Sequence, residues 1–229
     1  MKYLIPPSEG KSKVQSAGVK FKDTKFIFKQ HVEQIVTLLE LIDEEDLTSI
    51  YGTSQEKSER FHRQNQDIFN SKCAHAISRY TGIVYKNLDW ESYSDKEKEF
   101  MDNHFFIFSG LFGMVKPLTL IPDYKLKMNV LSLDHHWNDV ITKALQEEDL
   151  VVDLLPQVHR KAYKPGDNVK IIDFQVIKKG KKTSAGHFGK AIKGQLIKYI
   201  VNNYITSIDD FDGFNWDGFN WDGKVFIKE

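Results

Sequence analysis

Short apolar runs alternate along this chain with segments whose apolar residues recur every three to four positions. The runs predict buried strands at residues 3–5, 105–108, 151–155, 169–177 and 224–227. The helical periodicity predicts helices over residues 29–42, 55–70, 71–80, 137–146 and 190–204. Ser94 and Glu97 form a capping-box pattern that opens a further helix, ending near residue 103. Strands and helices interleave without a regular βαβ rhythm, so the pattern predicts an α+β (mixed α/β) fold.

The expected domain organisation is simple. No composition shift marks a linker, and we expect one domain over residues 1–229, with a mixed β-sheet surrounded by helices. Residues 178–181 predict a turn after the strand at 169–177. The 229 residues are 41% hydrophobic and 28% charged, which is typical of a folded globular protein and unlike a disordered chain.

Cysteine content and hydropathy indicate a cellular compartment. The single cysteine, Cys73, excludes an internal disulfide and suits a reducing cytosol. It lies within the predicted helix at 71–80, where packing is its expected role, although a cation such as the adjacent Lys72 lowers the pKa of a thiol. No apolar stretch approaches the length of a signal peptide or a membrane span. We expect a cytoplasmic protein without a membrane partner.

The formal net charge of zero conceals large blocks of like charge. Residues 1–30 carry a net charge near plus five and residues 159–199 one near plus nine. Residues 31–50 contain six acidic residues and no Lys or Arg, and the chain from residue 202 onward has a net charge near minus four. Basic blocks of this size are typical of phosphate binding, although a solvated protein face is also commonly rich in lysine.

Several chemical motifs are incomplete. Gly10-Lys11-Ser12 resembles the end of a phosphate loop, but Ile5 stands where that motif needs its first glycine. His135 and His136 are adjacent, so their side chains diverge on a helix, and no other spaced ligand set accompanies them. We therefore expect neither a metal site nor a cofactor.

A polar loop follows the first predicted strand, where α/β proteins often place their sites. Ser8, Glu9 and Lys11 lie in this loop. If Tyr85, Ser109, Lys116 and Tyr124 converged with them in one deep pocket, that convergence would favour an enzyme. A flat basic groove would favour nucleic acid.

The tail contains a tandem repeat, with Gly-Phe-Asn-Trp-Asp at residues 213–217 and again at 218–222. Two five-residue copies are too short for a solenoid. The repeat is interpreted either as a duplication in a surface loop or as an aromatic platform for a base or sugar.

Several motifs, in order along the chain, resemble the peroxide stress protein YaaA family. The opening Lys-Tyr-Leu-Ile-Pro-Pro-Ser-Glu-Gly-Lys (2–11) is similar to the family's first strand and loop. The most specific match is Ser-Gly-Leu-Phe-Gly-Met-Val-Lys-Pro-Leu (109–118), followed by Pro-Asp-Tyr-Lys-Leu-Lys-Met (122–128). Residues 80–88, 189–194 and 211–228 resemble three further family segments, so the resemblance spans essentially the whole chain.

Two departures from the family pattern are visible. Asp123 is inserted between Pro122 and Tyr124. The family's Asn-Leu-Ala-Ser-x-Glu-Tyr segment is replaced here by Asp-Leu-Leu-Pro-Gln-Val-His (153–159), which leaves any role of that Ser, Glu or Tyr in doubt.

The resemblance implies a peroxide-stress protein that limits damage by free intracellular iron and binds DNA through a basic cleft. It also implies a helix-hairpin-helix-like element, which we place at residues 109–117. Backbone amides and lysines would contact phosphates without reading bases. The predicted nucleic-acid-binding residues are Lys11, Lys13, Gly110, Gly113, Lys116, Lys125, Lys181, Lys182, Lys190 and Lys193. The predicted pocket residues are Ser8, Glu9, Tyr85, Ser109 and Tyr124.

Three functions therefore stay open. The first is sequence-independent DNA binding in peroxide stress, the second is an enzyme acting on a phosphorylated or nucleotide-like substrate, and the third is direct iron sequestration. The sequence leaves the oligomeric state open, with a monomer as the simplest expectation.

Overall fold

The computed structural model describes residues 1–178, 180–186 and 188–228. The strands are β1 (Lys2–Ile5), β2 (Cys73–His75), β3 (Phe105–Ser109), β4 (Gly113–Val115), β5 (Leu120–Pro122), β6 (Val151–Asp153), β7 (Val169–Ile171), β8 (Phe174–Lys178), β9 (Lys181–Ser184), β10 (Asn220–Trp221) and β11 (Phe226–Lys228). The helices are α1 (Lys29–Glu40), α2 (Leu47–Tyr51), α3 (Gln55–Gln66), α4 (Ala76–Arg79), α5 (Ile83–Leu88), α6 (Asp95–His104), α7 (Leu133–Gln146), α8 (Gln157–Arg160) and α9 (Phe188–Asn202).

The main sheet has the strand order β4-β3-β1-β6-β7. Strands β3, β1, β6 and β7 are parallel, and β4 is an antiparallel edge strand. The central strand is apolar because it is covered on both faces: Tyr3, Leu4 and Ile5 are fully buried. The carboxyl ends of the four parallel strands meet at one edge, which we call the carboxyl edge.

Two smaller sheets complete the fold. One has the order β10-β11-β8-β9, and β2 pairs with β5 in the other. The chain passes from the main sheet to the four-stranded sheet at Ile172 and Asp173. Ile172 N–H donates to the Asp153 carbonyl in the main sheet, and the Asp173 carbonyl accepts from Phe226 N–H in the four-stranded sheet. This mixed α/β architecture confirms the predicted fold class.

Two element predictions are corrected by tertiary pairing, and two helix boundaries shift. Residues 169–177 form two strands in different sheets, because of the crossing at Ile172 and Asp173. The predicted helix at 71–80 begins as strand β2, whose backbone pairs with β5 and leaves only a short α4. Helix α7 begins at Leu133, earlier than residue 137, and α3 ends at Gln66 with a 3-10 turn to Asn70. The capping box of Ser94 and Glu97 is confirmed at the start of α6.

The segment at 109–117 is a β-hairpin between β3 and β4, with Ser109 opposite Gly113. The helix-hairpin-helix-like element predicted there is wrong, because continuous strand pairing replaces both helices. In the predicted turn at 178–181, Lys179 lies outside the described residues.

The buried side chains form one continuous cluster across the elements. The tail repeat belongs to it: Phe214 and Phe219, at equivalent positions of the two copies, are both buried. The Phe214 ring lies 5.2 Å from that of Phe226. The repeat therefore supplies core aromatics, while its two tryptophans, Trp216 and Trp221, are partly exposed and leave the aromatic-platform interpretation open.

Within the described chain, no helix is both long and apolar enough to cross a membrane.

Candidate functional site

A cleft of about 1100 Å³ opens at the carboxyl edge of the main sheet. The loops after β1, β6 and β7 form its floor, the β8–β9 hairpin forms one wall, and the beginnings of α5 and α9 complete it. Ligand sites of open α/β sheets form at this edge, where the loops leave the strands. The charged or imidazole-bearing side chains lining it are Glu9, His159, Arg160, Asp173, Lys182, Lys190 and Lys193.

A buried carboxylate fixes the arginine of the cleft. Asp153, at the end of β6, is fully buried and accepts hydrogen bonds from Leu155 N–H (2.6 Å), Arg160 Nε (2.7 Å) and the Tyr163 hydroxyl (2.7 Å). Arg160 also donates to the Leu155 carbonyl at 2.8 Å. Burial, with the Asp153 charge in addition, raises the pKa of Tyr163 far above its usual value, so its hydroxyl stays a donor. The guanidinium is thereby held in one orientation against the cleft.

Lys193 extends from α9 to the same floor. Its amine donates to the Leu154 carbonyl. Burial lowers its pKa to about 8, the Asp153 and Asp173 carboxylates oppose that shift, and Arg160 and Lys190 add to it. An amine with this pKa exchanges its proton near physiological pH, unlike an exposed lysine.

His159 lines the cleft as a neutral side chain. Burial, with the charge of Lys193 in addition, lowers its pKa to about 4. Its Nδ1 atom is buried and has no hydrogen-bond partner among the described residues. The imidazole therefore has an unused polar atom beside the cleft.

A second cavity of about 250 Å³ adjoins the cleft. Pro7, Ser8, Glu9, Val158 and His159 line both. The smaller cavity, which we call the lysine pocket, is also lined by Lys11, Gly110, Tyr124, Lys125, Leu126, Lys127, Met128 and Asn129.

Lys11 lies against the aromatic wall of the lysine pocket. Its backbone forms a bridge to Tyr80, and its amine lies 4.0 Å from the centre of the Tyr124 ring and 5.6 Å from that of Tyr80. Burial lowers the pKa of Lys11 to about 8, and the charge of Lys125 acts in the same direction.

A chain of hydroxyls supports that wall. The Tyr124 hydroxyl lies 2.7 Å from Ser109 Oγ and 2.9 Å from the Tyr80 hydroxyl, and Ser109 Oγ also accepts from Phe112 N–H. Burial raises the pKa of Tyr124 to about 12, so the phenol stays protonated. Tyr85, on the cleft side, donates to the Pro6 carbonyl at 2.7 Å and ties α5 to the loop after β1.

Glu9 occupies the entrance of the lysine pocket. Its two oxygens lie 3.3 Å from the Lys127 amine and 3.5 Å from the Lys125 amine. Partial burial raises the pKa of Glu9, but hydrogen bonds and charges from Lys127 and Lys125 outweigh it and lower the pKa below its usual value. The carboxylate is therefore ionised at neutral pH.

The structure brings most of the predicted site residues together. The cleft is lined by Ser8, Glu9, Tyr85, Lys182, Lys190 and Lys193. The lysine pocket is lined by Lys11, Tyr124 and Lys125, together with Ser8 and Glu9. Ser109 is buried behind Tyr124. Lys13 and Lys181 are exposed on neighbouring segments. Lys116 follows β4, which runs antiparallel to β3, and it therefore lies at the opposite edge of the sheet.

Gly110 and Gly113 both pack closely against other parts of the fold, and their predicted role as phosphate contacts stays a prediction. A Cβ on Gly110 would lie 2.6 Å from the Leu126 carbonyl oxygen, and one on Gly113 would lie 2.5 Å from the Trp137 ring. Both residues are buried, and Gly110 also lines the lysine pocket.

Sequence reasoning missed Asp153, His159, Arg160, Tyr163 and Lys127 as site residues. A usable signal existed for the first of them. Asp153 is a charged residue at the end of a predicted buried strand, and the loop that follows it had to share an edge with Ser8 and Glu9.

Two other candidates have no role at this site. Cys73 is buried in strand β2, which agrees with its expected packing role, and burial raises the pKa of its thiol to about 11 instead of lowering it. The His136 ring packs 5.5 Å from that of His31, and the described residues contain no group of three or more His, Cys, Asp or Glu that could hold a metal ion.

Comparison with known proteins decides the family. A family model described as peroxide stress protein YaaA matches residues 1–225. The chain belongs to this family. Among curated relatives, a UPF0246 protein of Francisella tularensis subsp. tularensis is 28% identical over 237 residues, covering 94% of this chain and 92% of the relative. A UPF0246 protein of Francisella philomiragia subsp. philomiragia is 27% identical with the same coverage. The family's name supports a role in peroxide stress and confirms the resemblance found in the sequence.

Proposed function

We propose that this chain is a cytoplasmic peroxide-stress protein that binds DNA along its basic cleft. One observation carries the proposal: cations from three separate parts of the chain converge on one cleft of about 1100 Å³. Arg160 comes from α8, Lys182 from β9, and Lys190 and Lys193 from α9.

The charge distribution supports a polyanion as the ligand. Residues 31–50 carry six acidic residues, and none of the described lining residues comes from that segment. Lys182 and Lys190 lie at exposed positions, as phosphate-contacting side chains must. Contacts of this kind neutralise phosphates and release counterions, and they carry no base specificity.

Bound protein would shield DNA from the reaction of peroxide with free iron, which is how we propose that the chain limits iron-dependent damage. Direct iron sequestration receives no support from the described residues, since they assemble no group of three metal-binding side chains.

The experiment is duplex affinity measured against salt concentration. We expect log K to fall linearly with log salt, by about 0.9 for each phosphate neutralised. Changing Lys182→Met and Lys190→Met together should weaken binding and make the slope less steep by about two. The matched control is Lys116→Met with Lys143→Met, two exposed lysines outside the cleft. Absence of duplex binding at low salt, or binding without a salt slope, contradicts the proposal.

A second candidate function is an enzyme acting on a phosphorylated or nucleotide-like substrate. The specific observation is that Lys11 and Lys193 both have pKa values lowered to about 8 beside the neutral His159, in adjoining cavities. Amines with such pKa values serve as bases or nucleophiles near neutral pH. Turnover of a nucleotide that is lost in Lys193→Met, while duplex binding persists, would establish this function. No turnover across nucleoside mono-, di- and triphosphates would remove it.

A further inference from the structure

The lysine pocket has an unbalanced charge. Lys11, Lys125 and Lys127 place three amines around a cavity of about 250 Å³, and Glu9 is the one carboxylate among its described lining residues. With all four groups ionised, the charges of these lining residues sum to about plus two; outside the lining, the opposite charges of Asp123 and Arg79 also act on Lys11.

Lys11 is the one amine of the three that no carboxylate in the described chain contacts within ion-pair distance; Asp123 and Glu9 act on it only through their charge at longer range. Among the described residues it makes no ion pair and no hydrogen bond, and its contacts are the faces of Tyr124 and Tyr80. Enclosing an unpaired ammonium group costs free energy, which a bound anion would recover. The unpaired Lys11 amine therefore indicates an anion site separately from the number of lysines around the pocket.

The Glu9 side chain lies at the pocket entrance and makes only weak ion pairs there. Its distances to Lys125 and Lys127 are 3.5 and 3.3 Å, and its side chain is 69% exposed. An exposed ion pair of this kind contributes little free energy, so an incoming dianion can displace it.

The opposite wall is rigid by comparison. Asn65 holds the backbone of Lys125 from both sides, donating to its carbonyl at 2.8 Å and accepting from its N–H at 3.2 Å. The backbone of Leu126 and Lys127 packs directly on Gly110. Lys125 and Lys127 therefore project from a fixed segment, whereas Glu9 is held mainly by its exposed pairs with these two amines.

We propose that the lysine pocket binds the terminal phosphate of a DNA strand lying in the cleft, with Glu9 swinging out as the phosphate enters. This inference rests on the proposed function. A terminal phosphomonoester carries about −1.5 to −2 charges at pH 7 and matches the pocket, whereas an internal phosphodiester carries one.

The experiment compares one duplex with 5′-phosphate, 3′-phosphate or hydroxyl ends, and uses inorganic phosphate as a competitor. We expect tighter binding of at least one phosphorylated end, by about tenfold, which is the factor for one charge-assisted hydrogen bond. Lys11→Met and Lys127→Met should each abolish that preference. Glu9→Gln should increase it, while the remote Glu44→Gln should leave it unchanged.

The outcomes separate this inference from the function on which it rests. If duplex binding depends on salt but its affinity is the same with and without a terminal phosphate, the phosphate-pocket inference is wrong and the proposed function is still supported. Phosphate binding that depends on Lys11, without any duplex binding, supports the pocket and overturns the DNA proposal. An unchanged end preference in both lysine variants, each shown to be folded by circular dichroism, also overturns the pocket.

Discussion

The Nε atom of Arg160 lies 2.7 Å from Oδ2 of Asp153, where a fully buried carboxylate meets the floor of the basic cleft. The ion pair links the sheet to the ligand surface, because Asp153 belongs to β6 and Arg160 ends α8. The same carboxylate also orders Leu155 and Tyr163. Asp153 is thus a positioning residue, and its main effect should be on stability.

Asp153→Asn should lower the free energy of unfolding by about 3 kcal/mol, the lower end of the range for breaking a buried ion pair, since Arg160 keeps the Leu155 carbonyl as an acceptor. Urea denaturation measures the change. The control is Asp217→Asn, whose pair with Lys228 is also short, at 2.9 Å, but exposed, and which should cost less than about 1 kcal/mol. Equal costs in the two variants would contradict the assigned role.

Gly113→Ala should destabilise the fold more than Gly180→Ala. Both glycines have positive φ, 68° and 73°, so both variants incur the same backbone strain, about 1 kcal/mol. Only Gly113 faces a packed neighbour, the Trp137 ring at 2.5 Å from an added Cβ, which adds about 1–3 kcal/mol of overpacking. Thermal unfolding of the two variants tests this directly. If Gly113→Ala folds normally and only loses DNA affinity, the glycine contacts ligand after all.

The sites around Asp153 and Gly113 show which features the sequence could predict. Gly110 and Gly113 stood out as members of the motif at residues 109–118, but their packing against Leu126 and Trp137 depends on contacts across the fold, which spacing along the chain does not encode. The loop after β1 was predictable because an apolar strand followed by polar residues has a clear local signature. That Lys182 and Lys190 reach the same cleft as Ser8 depends on strand order, and strand order is set by long-range pairing.

Helix and strand errors have the same origin. Residues 71–80 have a helical pattern, yet Cys73–His75 is held as a strand by pairing with β5, and Arg79 donates to the Ile121 carbonyl to fix the junction. The start of α6 was predicted correctly because its capping box is a purely local interaction. Local signals were therefore reliable, and pairing across the fold overrode periodicity.

Lys11→Met should stabilise the protein at neutral pH, because it removes an enclosed ammonium group without an anionic partner. The folded-state pKa of Lys11 is about 8, below its unfolded value near 10.5. Between these values the unfolded state binds more protons, so the stability contributed by this site rises with pH. The advantage of Lys11→Met should be largest below pH 8 and shrink towards pH 10.5.

Denaturation of both proteins from pH 6.5 to pH 10.5 measures this difference. Lys193 has a pKa lowered to a similar value, but it is present in both proteins and cancels in the comparison. A difference that does not change with pH would mean that Lys11 titrates as an ordinary exposed lysine.

Tyr124→Phe should cost more stability than Tyr80→Phe, because the Tyr124 hydroxyl is the central member of the buried chain. It contacts both Ser109 Oγ, at 2.7 Å, and the Tyr80 hydroxyl, at 2.9 Å, so its removal deprives two buried groups of a partner. We expect about 2 kcal/mol for Tyr124→Phe and about 1 kcal/mol for Tyr80→Phe. The double variant should lose less unfolding free energy than the sum of the losses in the two single variants, because the Tyr80–Tyr124 hydrogen bond can be lost only once. Strictly additive costs in urea denaturation would show that the two hydroxyls are not coupled, and the aromatic wall beneath Lys11 would then be held by packing alone.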